Sequence, residues 1–193
     1  MVATESQMLE IGTIAPPFSL EDVVSGKRIS LEDFKGTAGT LVFFISNHCP
    51  YVIHIRDHFK LIADDYIPKG ISFIAINSNS FETHPQDGPE NMKTLAIEKG
   101  WKFPFLFDET QEVAKTYKAA CTPDFFLFDK NMKLYYRGQL DSSRPGNDSP
   151  VTGKDLRTAL DLMLEDKPSP EIQYPSLGCN IKWAPGNEPD YFG

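Results

Sequence analysis

The sequence is short of cysteine, of positive charge and of long apolar runs. Three cysteines in 193 residues are too few for a disulfide-stabilised scaffold. The 27 Asp and Glu residues outnumber the 19 Lys and Arg residues, and the net charge of −8 opposes binding to phosphate backbones or anionic membrane surfaces. The longest apolar run, Leu41–Ile45, is far below the ~20 residues that span a bilayer. These deficits disfavour a small secreted scaffold, a nucleic-acid-binding protein and a membrane protein.

The first residues contain neither the basic nor the apolar segment of a secretory signal. We therefore expect a cytoplasmic protein, in which an odd number of thiols is either reactive or buried rather than paired in structural disulfides. Hydrophobic residues make up 40% of the chain and charged residues 24%, as in globular proteins. The sequence thus predicts an ordinary globular protein in which the role of each cysteine is the main question.

The composition divides the chain into one domain and a tail. Residues 1–166 are long enough for one domain of common size. Residues 167–193 contain five prolines and show no helical or alternating pattern. The tail nevertheless carries several apolar side chains, so we expect it to pack on the domain or on a partner.

Hydrophobic periodicity in the domain predicts alternating strands and helices. An N-terminal hairpin is predicted at 18–31, and the apolar run at 40–46 is typical of a central strand covered on both faces. A long helix is predicted over 50–67, opened by Pro50. Further strands are predicted at 71–76, 105–107, 125–128 and 134–137, and further helices at 89–100, 110–117 and 153–164, the last capped by Thr152. This is an α/β pattern.

Cys49 lies where the central strand ends and the long helix begins. Unpaired backbone N–H groups and the helix dipole stabilise an anion at such a position. The pKa of a cysteine there can fall from ~8.5 to ~3.5–7.5, which favours a nucleophilic thiolate. The alternative is a buried cysteine that acts only as a small apolar side chain.

Four segments in order resemble the thioredoxin superfamily, and most closely its AhpC/TSA (peroxiredoxin-like) and TlpA-like redoxin branch. Phe43–Val52 resembles the redox loop of that superfamily. The other segments resemble, in order, its opening hairpin, its next strand entry and its cis-proline loop: Gly12–Leu20 with Ile29–Gly36, Pro104–Glu109, and Cys121–Asp129. The resemblance covers about residues 11–164. It implies a thioredoxin-like fold, with a central mixed sheet of four or five strands flanked by helices plus the N-terminal hairpin.

The resemblance also implies how the site is built. The bond between Thr122 and Pro123 is expected to be cis and to face Cys49. Together with Pro50, these two residues would position an extended substrate rather than react with it. The family uses no organic cofactor or metal for this chemistry, so neither is expected here.

The sequence departs from the superfamily in its second cysteine. Val52 occupies the fourth position of the Cys-x-x-Cys pattern, so the usual disulfide within the motif cannot form. The partner sulfur would be that of Cys121, of Cys179 or of an external thiol. Cys121 lies two residues before the expected cis-proline and could come within disulfide range. Cys179 lies in the tail, and the 11 residues from Pro168 to it could span about 36 Å, enough to reach Cys49 of the same chain or of a dimer mate. C-terminal resolving cysteines of some peroxiredoxins act in this way.

Peroxidase chemistry requires donors around the thiolate, and the sequence supplies part of the peroxiredoxin pattern. Ser46 stands where that pattern has a Thr, but Val42 replaces its Pro. Arg137 and Arg144 are candidates for the activating guanidinium. A thiol peroxidase is therefore the alternative to disulfide exchange.

Histidines near Cys49 suggest two further roles. His48 immediately precedes it and could exchange protons with the sulfur near neutral pH, or could simply be an exposed loop residue. His54 and His58 are four residues apart on one helix face, but Ile55 stands where a zinc protease would need Glu. The sequence thus predicts no metal site.

The function predicted from the sequence is that of a thiol-disulfide oxidoreductase with an antioxidant or redox role and Cys49 as nucleophile. In the peroxidase alternative Cys49 attacks peroxide and is resolved by Cys121 or Cys179. In a second alternative the fold is a non-catalytic binding module. The expected partners are a protein or small-molecule disulfide or a peroxide, together with an external thiol reductant, and a homodimer is possible.

Overall fold

A computed structural model describes residues 3–192 of the chain. The strands are β1 (Ala3–Glu5), β2 (Ser19–Asp22), β3 (Arg28–Ser30), β4 (Gly39–Phe44), β5 (Ile71–Asn77), β6 (Phe105–Phe107), β7 (Cys121–Thr122), β8 (Asp124–Asp129), β9 (Leu134–Gly138) and β10 (Leu177–Asn180). The helices are α1 (Leu31–Phe34), α2 (Pro50–Tyr66), α3 (Pro89–Lys99), α4 (Glu112–Thr116) and α5 (Lys154–Leu164). None of the helices described is long and apolar enough to cross a membrane.

The main sheet has the strand order β3-β2-β6-β5-β4-β8-β9. The pairs β4–β5 and β5–β6 are parallel and the others are antiparallel. Five neighbouring strands, in the order β6-β5-β4-β8-β9, form the predicted central mixed sheet. The predicted hairpin β2–β3 pairs with β6 and extends the sheet at that edge. The α/β architecture expected from the sequence is therefore confirmed.

Strand β4 is an interior strand, between β5 and β8, and is buried along its whole length. Because successive side chains of a strand point to opposite faces, Leu41 and Phe43 join one core cluster while Val42 and Phe44 join the other. Helices α2, α3 and α5 contribute buried side chains to the first cluster, and α4 contributes to the second. The continuous apolar run in the sequence reflects this two-sided burial.

Helix α2 begins directly after Cys49 and is held against the sheet by its apolar face. Pro50 occupies its first turn, and a left-handed Gly70 ends the short 3-10 turn that follows it. Its buried side chains follow three- and four-residue spacings and pack against β4: Val52, Ile55, Phe59, Ile62, Ala63 and Tyr66.

Three local features differ from the sequence-based expectations. Helix α5 is capped by Gly153 in a left-handed conformation and not by Thr152, whose hydroxyl instead accepts a hydrogen bond from the N–H of Lys154. The single-turn helix α1 was not predicted; the side chain of Ser30 caps it by accepting from the N–H of Asp33. The tail, expected to lack regular structure, contains strand β10.

Strand β10 forms a second, three-stranded sheet of order β1-β10-β7. It pairs antiparallel with β1 on one edge and with β7 on the other, where Cys179 is opposite Thr122. The hydrophobic pattern of the sequence could not reveal this sheet, because the four residues of β10 pair with strands that are far away in the sequence. Beyond β10, Ile181 and Trp183 are buried in the second core cluster. The tail thus lies on the domain.

We predict that Phe43→Ala lowers the free energy of unfolding by about 3–5 kcal/mol, because its buried ring packs against Phe59, Phe103 and Phe125 and its removal leaves a cavity. Urea unfolding followed by circular dichroism measures the change. The exposed Ile53 on α2 is the control: its replacement by Ala is expected to change the free energy by less than about 0.5 kcal/mol. Equal losses in the two variants would contradict the placement of Phe43 in the core.

Candidate functional site: two cysteines across the start of a helix

Cys49 is the N-cap residue of α2, and its own side chain does not cap the helix. The backbone is extended there and turns into the helix at Pro50. The sulfur therefore lies beside the first free N–H groups of the helix, and the N–H of Val52 donates to it. This is the anion-stabilising position that the sequence predicts.

The sulfur of Cys179 lies 2.8 Å from the sulfur of Cys49. Strand β10 carries Cys179 to this place through its pairing with β7, which lies next to the start of α2 in space. The two residues are 130 positions apart in the sequence. The structure therefore brings Cys179, one of the three partner sulfurs considered for Cys49, into direct contact with it.

Contact with Cys179 also changes the acidity of Cys49. The hydrogen bond from Cys179 has the largest effect and lowers the pKa of Cys49, burial opposes it, and the N–H of Val52 and the side chain of Thr122 lower it further, to about 6. The same hydrogen bond raises the pKa of Cys179 strongly, since that thiol donates its proton. These opposite pKa shifts favour Cys49 over Cys179 as the thiolate of the pair.

Both sulfurs are enclosed. Cys49 is 0% exposed and Cys179 is 2% exposed, because β10 covers the start of α2. A nucleophile at this position is chemically activated, yet a molecule in solvent cannot touch it in this conformation. Enclosure by the tail was not foreseen from the sequence.

The loop before β8 forms the other side of the site. The peptide bond between Thr122 and Pro123 is cis. The carbonyl oxygen of Thr122 lies 3.1 Å from the sulfur of Cys49 and accepts a hydrogen bond from it when Cys49 is a thiol. The hydroxyl of Thr122 is 3.2 Å from that of Ser46, and both are buried. Thr122 and Ser46 thus fix the loop against the end of the strand that carries Cys49.

Cys121 points away from this contact. Its sulfur lies 3.6 Å from the carbonyl oxygen of Pro123 and 4.0 Å from that of Ser176. Burial raises its pKa well above the ordinary value, so it remains a thiol at neutral pH. The sequence left Cys121 and Cys179 as possible partners of Cys49 within the chain, and the structure places only Cys179 against it.

His48 is held by a carboxylate that the sequence analysis missed. Its Nδ1 is 2.6 Å from Oδ2 of the fully buried Asp87, which also accepts from the N–H of Asn47 and from the side chain of Asn79. Burial raises the pKa of Asp87, but these hydrogen bonds, led by that from His48, outweigh it and the pKa is lowered. The ionised carboxylate therefore keeps a proton on Nδ1 of His48. No sequence motif marks Asp87, which is 39 residues away from His48.

The two arginines considered as activators do not contact Cys49 in the described part of the chain. Arg137 is completely buried, where it pairs with Asp124 at 3.0 Å and lies over the ring of Phe126. Arg144 donates to Gln139 and to two backbone carbonyl groups of its own loop. The expectation that either guanidinium activates the thiolate is therefore not met by this geometry.

Asp124 has an unusual environment of its own. Burial raises its pKa to about 6, although Arg137 opposes the effect. One carboxylate oxygen of Asp124 and two guanidinium nitrogens of Arg137 lack hydrogen-bond partners. The N–H of Ala120, the residue before β7, also donates to Asp124, so the carboxylate holds the start of β7.

The arrangement is that of a dithiol pair. It contains one activated sulfur, a second sulfur close enough to form a disulfide after a small movement, and a loop whose backbone lies against the first sulfur. The described residues contain no group of three or more His, Cys, Asp or Glu side chains arranged to hold a metal ion. A pair of sulfurs in this geometry can carry out thiol-disulfide exchange.

Comparison with known proteins supports a redox protein. The model of the AhpC/TSA family matches residues 11–137. The thiol-disulfide oxidoreductase ResA of Bacillus thuringiensis is 30% identical over 131 residues, which are 68% of this chain and 70% of that protein. A protein of Mycobacterium tuberculosis that is provisionally named a peroxiredoxin is 27% identical over 60% of this chain and 68% of its own length.

Solved structures extend the similarity to the tail. The crystal structure of a conserved protein from Geobacillus kaustophilus is 56% identical, has a TM-score of 0.95, and is matched over 96% of this chain and 98% of its own. Structures of thioredoxin-like proteins with lower identity share the architecture, which confirms the predicted fold class. The ResA match, by contrast, covers only 131 residues, about as many as the family model matches.

We predict that Cys179→Ala raises the midpoint of the pH dependence of Cys49 alkylation from about 6 toward the ordinary value of ~8.5, because the variant lacks the hydrogen bond that most stabilises the thiolate. The rate of reaction with iodoacetamide at pH 4.5–9.5, followed by mass spectrometry of the Cys49 peptide, measures the midpoint. Cys121→Ala is the control and is expected to keep the wild-type midpoint. A wild-type midpoint near 8.5 would instead favour a non-catalytic binding module.

Proposed function

This chain belongs to the AhpC/TSA family, and we propose that it is an oxidoreductase that exchanges disulfides with Cys49 as nucleophile and Cys179 as the resolving thiol. The observation that carries the proposal is the 2.8 Å contact between the two sulfurs at the start of α2. It supports a dithiol mechanism within one chain although Val52 replaces the usual second cysteine of the motif.

In the first step, the Cys49 thiolate attacks one sulfur of a substrate disulfide. A bond forms between Cys49 and that sulfur, the substrate S–S bond breaks, and the other substrate sulfur leaves as a thiolate that takes up a proton. The N–H of Val52 and the Cys179 thiol stabilise the attacking anion before this step. The product is a mixed disulfide on Cys49.

In the second step, Cys179 attacks the sulfur of Cys49. Once Cys49 has become part of a mixed disulfide, its negative charge no longer raises the pKa of Cys179, so Cys179 loses its proton more readily. A disulfide between Cys49 and Cys179 forms and the second substrate thiol leaves. The substrate disulfide has then gained two electrons from the Cys49–Cys179 pair, and an external dithiol reduces the new protein disulfide again while it is itself oxidised to a disulfide.

Residues around the two sulfurs act by position. The carbonyl group of Thr122 accepts from Cys49 in its thiol form, and the hydroxyl of Ser46 holds the side chain of Thr122. The partly exposed His48, one residue before Cys49, is hydrogen-bonded to the buried Asp87 and is a candidate proton carrier. Pro123 and Pro50 shape the two backbone segments that meet at Cys49.

Peroxide reduction is the second candidate, favoured by the relative named as a peroxiredoxin. In that reaction the Cys49 thiolate would attack one peroxide oxygen, form a sulfenic acid and release water or an alcohol. The hydroxyl of Ser46 is directed at Thr122, and the two arginines considered earlier are bonded elsewhere. The geometry therefore supports disulfide exchange better than peroxidase activity.

We predict that mild oxidation produces a disulfide between Cys49 and Cys179 and leaves Cys121 as a thiol, because only the first two sulfurs are in contact. Non-reducing proteolysis followed by mass spectrometry identifies the linked peptides. Recovery of a Cys49–Cys121 peptide as the main product, or of a Cys179 disulfide between two chains, would contradict the proposed pairing.

We predict that the protein catalyses the reduction of insulin by dithiothreitol and that Cys49→Ser reduces the rate to that without protein, since a hydroxyl cannot form the mixed disulfide. With Cys179→Ala, the mixed disulfide on Cys49 is expected to accumulate and to be detected by its mass. Hydrogen peroxide is the comparison substrate. Rapid peroxide consumption with a sulfenic acid trapped on Cys49, and no insulin reduction, would favour the peroxidase instead.

A further inference from the structure

Strand β10 closes the site as well as supplying Cys179. It is the middle strand of its sheet and lies against the backbone of Thr122, the residue next to the nucleophile in space. A partner that brings a disulfide to Cys49 has to reach a sulfur that is 0% exposed. Either the partner never reaches it or β10 moves.

The segment is held firmly on both sides of β10. Before it, the N–H of Ser176 donates to the side chain of Ser6, and the hydroxyl of Ser176 donates to the carbonyl group of Gly138. After it, the N–H of Lys182 donates to Asn79, and its carbonyl group accepts from the side chain of Gln111. These contacts keep the two ends of the segment in place, so movement is confined to the few residues between them.

Asn79 connects the hydrogen bonds at Lys182, the C-terminal end of the segment, to the site. Its side-chain oxygen accepts from Lys182, while its side-chain nitrogen donates to Asp87, the partner of His48. The tail is therefore fixed to the same hydrogen-bond network that surrounds the residue before Cys49. A segment that is attached in this way returns to the same position after it opens.

Gly178 is the residue that allows β10 to lie so close. A Cβ atom at this position would be 2.0 Å from the carbonyl oxygen of Thr122 and 2.6 Å from its carbonyl carbon. Both atoms belong to the backbone, so no side-chain rotation could relieve the overlap. Only glycine therefore fits between β1 and β7 at this point, where it faces Thr4 across the strand pair.

We propose that residues 177–180 are a strap that covers Cys49 in the resting protein, opens between its hydrogen-bonded ends at Ser176 and Lys182 to admit a partner, and closes again to bring Cys179 back to Cys49. The proposal rests on the proposed function only in taking Cys49 as the reacting atom. It makes the tail both the source of the resolving thiol and the gate for the substrate. The backbone contact at Gly178 sets how tightly the gate is closed.

The first test compares Gly178→Ala with wild type in the full-length protein. The added methyl group is expected to separate β10 from β7, which removes amide hydrogen-exchange protection from residues 177–180. Alkylation is compared at about pH 9.5, where the Cys49 thiol is ionised with or without its contact to Cys179, and its rate is expected to increase at least about 10-fold. Iodoacetamide is the probe, and mass spectrometry of the Cys49 peptide gives the rate. Neither readout requires a substrate, so a failure of the proposed function leaves this test intact.

Gly186→Ala is the matched control. It makes the same substitution in the same tail, at a position where a Cβ atom would have no neighbour within 4 Å. Its positive φ angle of 79° makes the substitution costly only to the local backbone. Wild-type protection of β10 and a wild-type rate for Cys49 are expected.

Two results with Gly178→Ala would overturn the proposal. Loss of protection in β10 with an unchanged rate at Cys49 would show that the strand does not limit access. Unchanged protection would show that the close backbone contact does not hold the strand. If the variant does not fold, the denaturant dependence of Cys49 alkylation in the wild type decides. A dependence much weaker than that of global unfolding supports a local opening, and an equal dependence contradicts it.

Discussion

The antiparallel pairing of β10 with β7 is the interaction on which the site depends. It places Cys179 opposite Thr122, and Thr122 lies against Cys49, so the register of this one strand pair decides which sulfurs meet. A shift by one residue would turn the side chain of Cys179 to the other face of the strand. The close fit of Gly178 against Thr122 keeps the register in place. A dithiol site thus forms in a chain whose redox motif has one cysteine.

Two opposing effects meet at Cys49. Burial disfavours the thiolate, while the start of α2 and the proton of Cys179 favour it, and the second group of effects is larger. The enclosed sulfur is therefore acidic without contact with solvent or with an arginine. The same tail therefore both encloses the sulfur of Cys49 and lowers its pKa.

Much of the fold could be predicted from the sequence because its signals are local. The apolar run of β4, Pro50 at the start of α2 and the hairpin β2–β3 each depend on a few neighbouring residues. The position of Cys49 at a helix start follows from the same signals. Together with the resemblance to a known family, they were sufficient to predict the main sheet and the place of Cys49 at the start of α2.

The rest depends on pairing between distant segments, which a single sequence does not show. Strand β10 has a glycine, a cysteine and an asparagine among its four residues, and it is a strand only because β1 and β7 flank it. Asp87 lies in a loop without a recognisable motif, so its contact with His48 could not be predicted. Arg137 forms its ion pair with Asp124 instead of contacting Cys49, and no local pattern indicates that Asp124 is buried. The choice of Cys179 over Cys121 likewise rests on the direction in which two neighbouring side chains leave their strands.

The separation of 130 residues between the two sulfurs has a consequence for biosynthesis. The ribosome completes β4, α2 and the greater part of the main sheet well before it makes β10. During that interval the nascent polypeptide carries its nucleophile without the cover that the finished molecule has. A small disulfide compound present at that stage would meet Cys49 without the cover that β10 provides in the finished protein.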